Sequence, residues 1–381
     1  MPKRDVLVFV DWYKPGYRGG GPVRSMINMV DHLAGRVQFH IVTSDTDYAT
    51  DQPYPGIEPD QWFELPSGEC VWYASRSGRD QRTWRQLLGE RNWDAIYING
   101  MFSLWYSIMP LWLTRGSQQR RIVVARGMLL PGPMGQGALK KRVFLGLGKL
   151  LGLYKGVEFQ ATSGDEVVSI RERIGSDVRI HEVTNLPRKL VSDGRPQRTK
   201  RAGSARLVNV VRIATEKNIH LIIESLQGVT GEVIFDLYGP VYHQAYWEQC
   251  KAAIAKLPSN ITFNYHGPVA SEQVPQILAG DHHALFMPNE GDNFGHTMVE
   301  AMCAGLPLLI SDQSPWRDLQ ARSAGWDIPL EGPVRFTAAV QELVAMDQAA
   351  FDRISAGAYA IGMAQVNDPG TADRTFNMLA R

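Results

Sequence analysis

A chain of 381 residues is too long for one ordinary hydrophobic core, so its length predicts two domains. Hydrophobic residues make up 44% and charged residues 21% of the chain, which is typical of a globular protein rather than a disordered one. The formal net charge of +1 argues against nucleic-acid binding through bulk positive charge.

The cysteines and the apolar runs bear on where the protein works. Cys70, Cys250 and Cys303 lie far apart and form no CxxC pair, so the sequence supports neither a disulfide framework nor a zinc site. This cysteine content suits a reducing compartment. The run Val6–Val10 is too short for the core of a signal peptide, and no uncharged apolar stretch reaches the ~18 residues of a membrane span. We therefore expect a cytoplasmic protein.

Short apolar runs alternate with helical patterns in the first half of the chain. Val6–Val10 predicts a strand, glycines 19–21 predict a turn, and apolar residues then recur at helical spacing up to Leu33. Further strands are predicted at Phe39–Val42, Cys70–Tyr73, Ala95–Ile98 and Arg121–Ala125. Strands that alternate with helices predict a parallel sheet covered by helices on both faces.

A polar segment separates this pattern from a second one of the same kind. Residues 189–205 are rich in glycine and basic residues without an apolar period, and they predict an interdomain linker. The pattern then resumes, with strands predicted at Leu207–Val211, Val233–Tyr238, Ile261–Tyr265, Ala284–Met287 and Leu308–Ile310, and helices at Ile219–Leu226 and Tyr246–Lys256. We expect an N-terminal domain over 1–188, a C-terminal domain over 206–360, and a helix over 361–381 that packs back on the N-terminal domain.

Two Rossmann-like halves predict an α/β fold in which two parallel sheets face a central cleft. Sheets of this kind bind ligands at the carboxyl ends of their strands. The cleft is therefore the expected active site.

The most informative segment is 288–305, which follows a predicted strand and opens a helix at about His296. Gly295 lets the backbone approach a ligand closely. The first helical turn offers unpaired N–H groups and partial positive charge, which suit a diphosphate. Asp292 in the loop and Glu300 one turn inside the helix can accept hydrogen bonds from sugar hydroxyls.

The spacing of Asp292 and Glu300, with seven residues between them, resembles the acidic-x7-Glu motif of retaining GT-B glycosyltransferases in glycosyltransferase family 4. The more usual first residue of that motif is Glu, and Glu290 is two residues out of register for the role. The wider string that continues to Asp327 resembles a subgroup associated with surface polysaccharide assembly.

Three further segments resemble the same family. Arg212 and Lys217, between a strand and a helix, look like the Arg…Lys pair that holds the donor diphosphate. Fixed cations there stabilise the charge that the leaving diphosphate gains. Gly20 and Gly21 resemble the Gly-rich loop that approaches the donor phosphates, and Arg126 is a candidate for contacting the acceptor or the phosphates.

The resemblance implies retaining transfer of a sugar from a nucleoside-diphosphate sugar to a glycan or lipid-linked saccharide, in cell-surface polysaccharide synthesis. It implies no protein nucleophile, no metal and no other cofactor. The implied catalytic residues are Arg212, Lys217 and Asp292. The implied donor-binding residues are Gly20, Gly21, Phe294, Gly295, His296, Thr297 and Glu300.

Other functions stay open at this point. A nucleotide-sugar epimerase of the same architecture would turn over the donor without an acceptor, and a non-catalytic sugar-nucleotide-binding protein would transfer nothing. A Rossmann oxidoreductase is disfavoured because Arg24 stands where GxGxxG needs its third glycine after Gly21.

Several residues admit ordinary structural interpretations. Asp45 and Asp47 imitate a metal-binding DxD motif, but they end a predicted strand and are interpreted as turn-forming acids. His282 and His283 are adjacent on a predicted strand and point to opposite faces, so they cannot easily chelate one ion. His296 is interpreted as a donor contact rather than a packing residue.

Residues 139–155 combine five basic side chains with eight leucine, valine and phenylalanine side chains. One interpretation is a basic amphipathic helix that lies on a membrane surface. The other is an ordinary surface helix whose apolar stripe packs on the core. A lipid-linked acceptor would make the first one functional and would place the protein at the inner face of the membrane.

Overall fold

The computed structural model describes residues 2–130, 134, 138–190 and 194–380. The chain forms two compact α/β units. The first unit consists of two chain segments, one that ends at Lys189 and one that begins at Asp368. The second unit comprises Leu190–Asn367. Each unit is built around one sheet, as the sequence predicted.

The sheet of the first unit has eight strands in the order β3-β4-β2-β1-β5-β6-β7-β8. The strands are β1 (Arg4–Val10), β2 (Val37–Ser44), β3 (Trp62–Glu64), β4 (Cys70–Ala74), β5 (Ala95–Asn99), β6 (Arg121–Val124), β7 (Glu158–Ala161) and β8 (Arg179–Glu182). Only the pair β3–β4 is antiparallel among these described strands. The central strand β1 is buried on both faces from Val6 to Val10, which explains its unbroken apolar run.

The helices of the first unit begin with α1 (Gly21–Leu33), α2 (Gln81–Gly89), α3 (Met109–Leu113), α4 (Ala138–Leu150) and α5 (Gly164–Arg173), and a π-helical turn at Leu104–Ile108 precedes α3. Alternate residues of β1 enter two different cores. Leu7 and Phe9 pack in one core, while Val6 and Val8 pack in the other. This alternation is the reason that helices cover both faces.

The second unit has a six-stranded parallel sheet in the order β11-β10-β9-β12-β13-β14. Its strands are β9 (Ser204–Val210), β10 (Glu232–Tyr238), β11 (Ile261–Tyr265), β12 (Ala284–Met287), β13 (Leu308–Ser311) and β14 (Gly325–Ile328). The remaining helices are α6 (Ile219–Gln227), α7 (Gln244–Ile254), α8 (Val274–Ala279), α9 (His296–Cys303), α10 (Val334–Ala345), α11 (Gln348–Val366) and α12 (Pro369–Ala380). Because β9 and β12 are parallel neighbours, the loops after them lie at the same edge of the sheet.

The carboxyl-terminal segment forms two helices where the sequence analysis expected one over 361–381. Residues up to Val366 complete α11 in the second unit, and α12 packs in the first unit through Met378 and Leu379. The two helices are separated because local hydrogen bonds start a new helix after Asn367. The Asp368 carboxylate accepts from the backbone N–H of Gly370 and from the Thr371 hydroxyl, which caps a new helix.

The linker predicted over 189–205 is corrected by the structure. Arg198 is buried in the second unit and donates to the carbonyls of Leu278, Gly280 and Ala304, where α8 and α9 end. Lys200 is buried and donates to the carbonyl of Val344 at the end of α10. Cations satisfy the orphan carbonyls of helix ends. Basic residues that indicated a solvated linker are therefore internal helix caps.

The cysteines are free thiols, and two of them are buried. Burial raises the pKa of the Cys250 thiol to about 11 and that of Cys303 to about 12, and all three cysteines are free. Buried thiols of this kind are unreactive.

Over the described ranges, no helix combines the length and the apolar character needed to cross a membrane.

Candidate active site

Two loops at the carboxyl edge of the second sheet are bonded to each other. The backbone N–H of Glu290, in the loop after β12, donates to the carbonyl of Glu216 at 3.0 Å. The side-chain amide of Asn218, after β9, donates to the carbonyl of Pro288 at 2.8 Å. These bonds hold the segment with Arg212 and Lys217 against the segment with Asp292.

Lys217 and Asp292 form the polar contact at the centre of these loops. The Lys217 Nζ lies 3.7 Å from the Asp292 Oδ2, and the two side chains are only 12% and 24% exposed. The Asn289 side-chain amide also donates to the same carboxylate oxygen. The structure thus brings a cation and an acid together that are far apart in sequence, and both were singled out in the sequence.

Glu290 is the second acid near the position of the motif's first residue, and the structure places it differently from Asp292. Its side chain is exposed, and its backbone N–H is the group that joins the two loops. Asp292, not Glu290, is the acid that contacts Lys217. The shorter side chain of Asp292 is therefore the one that the fold positions at this edge.

Arg212 lies on the same loop but pairs with a different acid. Its Nη2 is 2.9 Å from the Glu216 Oε1, and its guanidinium lies 5.8 Å from the centre of the Tyr242 ring. Burial alone would raise the pKa of Glu216, but a hydrogen bond from its own backbone and the charge of Arg212 hold the pKa below its usual value. An anionic ligand at this loop would compete with Glu216 for the Arg212 side chain, which is 40% exposed.

The amino terminus of α9 is built to leave backbone donors unpaired within the helix. Gly295 stands at the N-cap with φ +74°, where glycine is favoured, and no side chain caps the helix. The first bond inside the helix runs from the Val299 N–H to the Gly295 carbonyl. The N–H groups of Thr297 and Met298 therefore have no acceptor inside the helix, and no acid occupies the first turn. Helix ends of this kind attract anions.

Phe294 stabilises this loop through its packing against two aromatic rings. Its ring is buried and lies 4.7 Å from the ring of His296 and 6.3 Å from that of Trp316, between centres. The Trp316 indole N–H donates to the Phe294 carbonyl at 2.9 Å. The Phe294 side chain therefore packs and orients the loop, while His296 is half-buried at the helix end.

Glu300 lies within α9, five residues after Gly295, and only 6% of it is exposed. Burial first, and the nearby charge of Glu300 second, raise the pKa of the Cys303 thiol. A carboxylate in such a place costs stability unless hydrogen bonds satisfy it. Glu300 is therefore an internal residue of α9 and not part of a solvated helix face.

The glycines after β1 in the first unit form a second uncapped helix end. Gly20 is the N-cap of α1 with φ +68°, and no acid lies in the first turn. A Cβ at Gly21 would meet no atom within 4 Å, and Gly21 does not have a positive φ. The fold of the first unit therefore requires glycine at Gly20 but not at Gly21, and the space beside Gly21 is open to a ligand.

Arg126 follows β6 in the left-handed conformation, with φ +52°. Its Nε donates to the Asn99 side chain at 2.6 Å, a second guanidinium N–H donates to the Asn185 side chain, and Nη2 lies 3.4 Å from the Tyr97 hydroxyl. These three partners are uncharged, so they orient the guanidinium without neutralising it. A left-handed conformation costs roughly 1–2 kcal/mol for a non-glycine residue, and three side chains stabilise this one.

Two acids follow β1 and β2: Asp11, which the sequence analysis did not single out, and Asp45, which it interpreted as turn-forming. Burial raises the pKa of Asp11, which accepts a hydrogen bond from Ser103, and burial also raises the pKa of Asp45. Asp47 behaves as predicted, because its carboxylate accepts from three backbone N–H groups and closes a turn. The available signal was position, since Asp11 directly follows a buried strand.

The histidine pair before β12 has separate roles. The His282 Nε2 lies 3.2 Å from the Asp236 carboxylate, whereas the His283 Nε2 lies 3.1 Å from the carbonyl of Thr199. Burial lowers the pKa of His283 to about 4. Across the described ranges, no cluster of three His, Cys, Asp or Glu side chains is arranged to hold a metal ion.

Comparison with known proteins gives both a family match and a fold. Residues 192–348 match the family model described as "Glycosyl transferases group 1", and this segment carries Arg212, Lys217, Asp292 and Glu300. No curated protein sequence matches the chain.

Solved structures match the chain over its whole length. HepE of Anabaena, in complex with UDP-glucose, has a TM-score of 0.72 at 16% identity, with 99% of each chain covered. Sucrose-phosphate synthase from Thermosynechococcus elongatus has a TM-score of 0.67 at 14% identity, covering 99% of this chain and 98% of that one. WaaG, described as a glycosyltransferase involved in lipopolysaccharide biosynthesis, has a TM-score of 0.66 at 13% identity, covering 98% of this chain and 99% of that one.

Identities this low establish architecture rather than activity. The predicted α/β class with two parallel-dominated sheets is confirmed. The chain therefore has the GT-B fold, and its residues 192–348 match the group 1 glycosyl transferases.

Proposed function

We propose that the chain is a cytoplasmic, retaining glycosyltransferase of family 4. It would move a sugar from a nucleoside-diphosphate sugar to a glycan or lipid-linked saccharide in cell-surface polysaccharide synthesis. The observation that carries the proposal is the pairing of Lys217 with Asp292 on the loop that leads to the uncapped helix α9. This loop lies in the segment that matches the group 1 glycosyl transferases.

The donor diphosphate would bind where cations and the backbone donors of a helix end lie close together. The amino terminus of α9 offers backbone donors, and Lys217 and Arg212 lie on the bonded neighbouring loop. As the glycosidic bond breaks, the leaving diphosphate gains negative charge, so these groups stabilise the transition state more than the bound donor. Arg212 would exchange Glu216 for a phosphate oxygen.

The two acids would hold hydroxyl groups. Asp292 is oriented by Lys217 and Asn289, so its carboxylate is available at a defined position to a hydroxyl of the donor sugar. Glu300, buried one turn inside α9, would accept from the ribose hydroxyls. A carboxylate that accepts a hydrogen bond from a hydroxyl gains more than a neutral acceptor does.

The transfer itself needs no protein nucleophile. In a retaining transfer of this kind, the acceptor hydroxyl attacks the anomeric carbon on the face that the diphosphate leaves. The bond to the phosphate oxygen breaks while the bond to the acceptor oxygen forms, and the hydroxyl proton passes to the departing diphosphate. We further propose that no metal is required, because Lys217, Arg212 and the helix end supply positive charge.

Similar proteins guide the choice of substrates to test. HepE of Anabaena was crystallised with UDP-glucose, which makes UDP-sugars the first donors to try. WaaG, described as acting in lipopolysaccharide biosynthesis, supports a surface glycan as the acceptor class.

The test begins with a thermal-shift screen of nucleotide sugars. At a hundred times its dissociation constant, a donor stabilises the folded state by about 2.7 kcal/mol. For a domain of this size, that raises the melting temperature by roughly 5–10 °C. The donor that does so is then incubated with saccharide acceptors, and product is measured by mass spectrometry and its anomeric configuration by NMR.

The outcomes separate the candidate functions. Transfer with retained configuration supports the proposal, and inverted configuration refutes the retaining part alone. Conversion of the donor to its epimer without an acceptor identifies an epimerase. Stabilisation without any turnover across the acceptor panel identifies a binding protein, and no stabilisation by any nucleotide sugar refutes the proposal.

A further inference from the structure

Helix α4 exposes a continuous apolar stripe. Leu139, Val143, Leu147 and Leu150 recur at helical spacing, and their exposed fractions are 76%, 53%, 52% and 82%. Side chains at this spacing lie on one face of a helix. The stripe therefore faces away from the core of the first unit.

The opposite face of α4 makes the contacts with the core. Leu145 is buried, and the Phe144 ring packs 5.5 Å from the ring of Phe102, between centres. The Lys141 Nζ lies 5.6 Å from the centre of the same Phe102 ring. The ordinary-helix interpretation accounts for this inner face, but it leaves the leucine stripe unexplained.

Neighbouring side chains extend the stripe. The Arg115 guanidinium donates to the carbonyl of Leu151 at 2.9 Å, which places the exposed Trp112 and Arg115 beside the end of α4. Among the described residues, twelve large apolar side chains are exposed, and half of them belong to this region. They are Trp112, Leu139, Val143, Leu147, Leu150 and Leu151, and together we call them the α4 face.

The chain segment that contains the α4 face carries charges of one sign only. No Asp or Glu occurs between Asp94 and Glu158, whereas this interval holds nine Lys and Arg residues. Three exposed basic residues flank the leucine stripe along α4. By helical spacing, Lys140 lies on one side of the stripe, and Arg142 and Lys149 lie on the other.

We propose that the α4 face binds an anionic lipid bilayer. Its leucines would enter the boundary between headgroups and acyl chains, while Lys140, Arg142 and Lys149 would contact anionic headgroups. The inference rests on the proposed function in one respect, because it selects a lipid-linked saccharide as the acceptor class. A glycan held at the membrane requires an enzyme that reaches the surface.

A second copy of the chain fits this face poorly. In a two-fold symmetric dimer, a patch meets its own copy. The cations that flank the stripe would then face cations, with no acid in the surrounding sequence to offset them. A bilayer supplies both anionic charge and an apolar phase, which matches the two properties of the α4 face.

The test is co-flotation of the full chain with lipid vesicles. Wild-type protein is expected to float at low salt with vesicles of 70% phosphatidylcholine and 30% phosphatidylglycerol, and only weakly with pure phosphatidylcholine. Each basic side chain near an anionic surface strengthens binding about fivefold. The variant Lys140→Glu, Arg142→Glu, Lys149→Glu should therefore bind anionic vesicles at least about a hundredfold more weakly.

Matched variants separate location from total charge. Arg76→Glu, Arg85→Glu, Arg171→Glu changes the net charge equally at exposed positions elsewhere in the first unit and should float like the wild type. Salt screens the contacts of the basic side chains but not those of the leucines. The variant Leu139→Gln, Leu147→Gln, Leu150→Gln should therefore lose the part of vesicle binding that persists at high salt. Val168→Gln, at a 54% exposed side chain on α5, should not.

Three results would overturn the proposal. They are failure of the wild type to float with anionic vesicles, equal loss of binding in the two charge variants, and a dimer in ultracentrifugation that the leucine substitutions dissociate. The charge variant should also transfer sugar to a short soluble acceptor as fast as the wild type. If the wild type floats but transfers nothing, the proposed function fails and the membrane surface stands.

Discussion

Glu300→Gln gives the sharpest test of the donor site. The substitution keeps the shape of a side chain that is only 6% exposed, and it removes the negative charge. The fold should persist, because a neutral amide costs less to bury than a carboxylate. We expect the melting temperature to change little, while the affinity for the nucleoside diphosphate falls.

The size of the loss follows from the proposed contact. A hydrogen bond to a charged acceptor contributes about 1.5–3 kcal/mol. Since about 1.4 kcal/mol corresponds to tenfold in affinity, the dissociation constant should rise roughly 10- to 150-fold. Glu342→Gln provides the control, because Glu342, on α10, accepts from the indole N–H of Trp326 in β14, outside the loops proposed to bind the donor, and should not affect nucleotide binding.

The assay is titration calorimetry with two ligands. The first is the nucleoside diphosphate selected by the thermal screen, and the second is its 2′,3′-dideoxy analogue. If Glu300 binds the ribose hydroxyls, the analogue should bind wild type and Glu300→Gln with equal affinity. This double comparison isolates the pairwise interaction.

Two results would refute the reasoning. Unchanged affinity of Glu300→Gln for the full nucleotide would remove the ribose contact. An equal loss for both ligands would mean that Glu300 acts on the shape of α9 rather than on the hydroxyls.

Three further predictions concern the same loops. Lys217→Ala or Arg212→Ala should lower kcat by about 10²–10³ while the donor dissociation constant changes far less, and a rise in KM with intact kcat would contradict the leaving-group role. Transfer should survive EDTA, and a loss of activity that manganese or magnesium restores would show a metal requirement. Gly295→Ala should lower the melting temperature by roughly 2–8 °C, because a left-handed residue other than glycine costs about 1–2 kcal/mol. Gly291→Ala, which meets no atom closer than 3.9 Å, is its control and should melt like the wild type.

Apolar patterning predicted most of the second sheet. The bounds of Ile261–Tyr265 and Ala284–Met287 are confirmed to the residue, and the second of these strands is a buried, uninterrupted apolar run, as is typical of a parallel sheet. Both edge strands of the first sheet, Trp62–Glu64 and Arg179–Glu182, were missed. These strands are short and partly exposed, so they carry no apolar period.

The site was predicted where chemistry is local in sequence. Asp292, Gly295 and Glu300 lie within nine residues of one another, so a loop followed by a helix was recognisable. The spacing to Glu300 favoured Asp292 over Glu290 as the first acid. The sequence did not predict that Asp292 contacts Lys217, because Lys217 comes from a different strand-to-helix loop.

By itself, the sequence determined the two α/β halves, the loop before α9 and the chemical class of its residues. Only the tertiary structure decided which polar residues are internal and which apolar residues are not. Arg198 and Lys200 indicated a solvated linker, yet carbonyls at the ends of distant helices bind them inside the second unit. Leu147 and Leu150 would suit a core but are exposed. Composition records what a side chain can do, whereas its partners are set by chain segments far away in sequence.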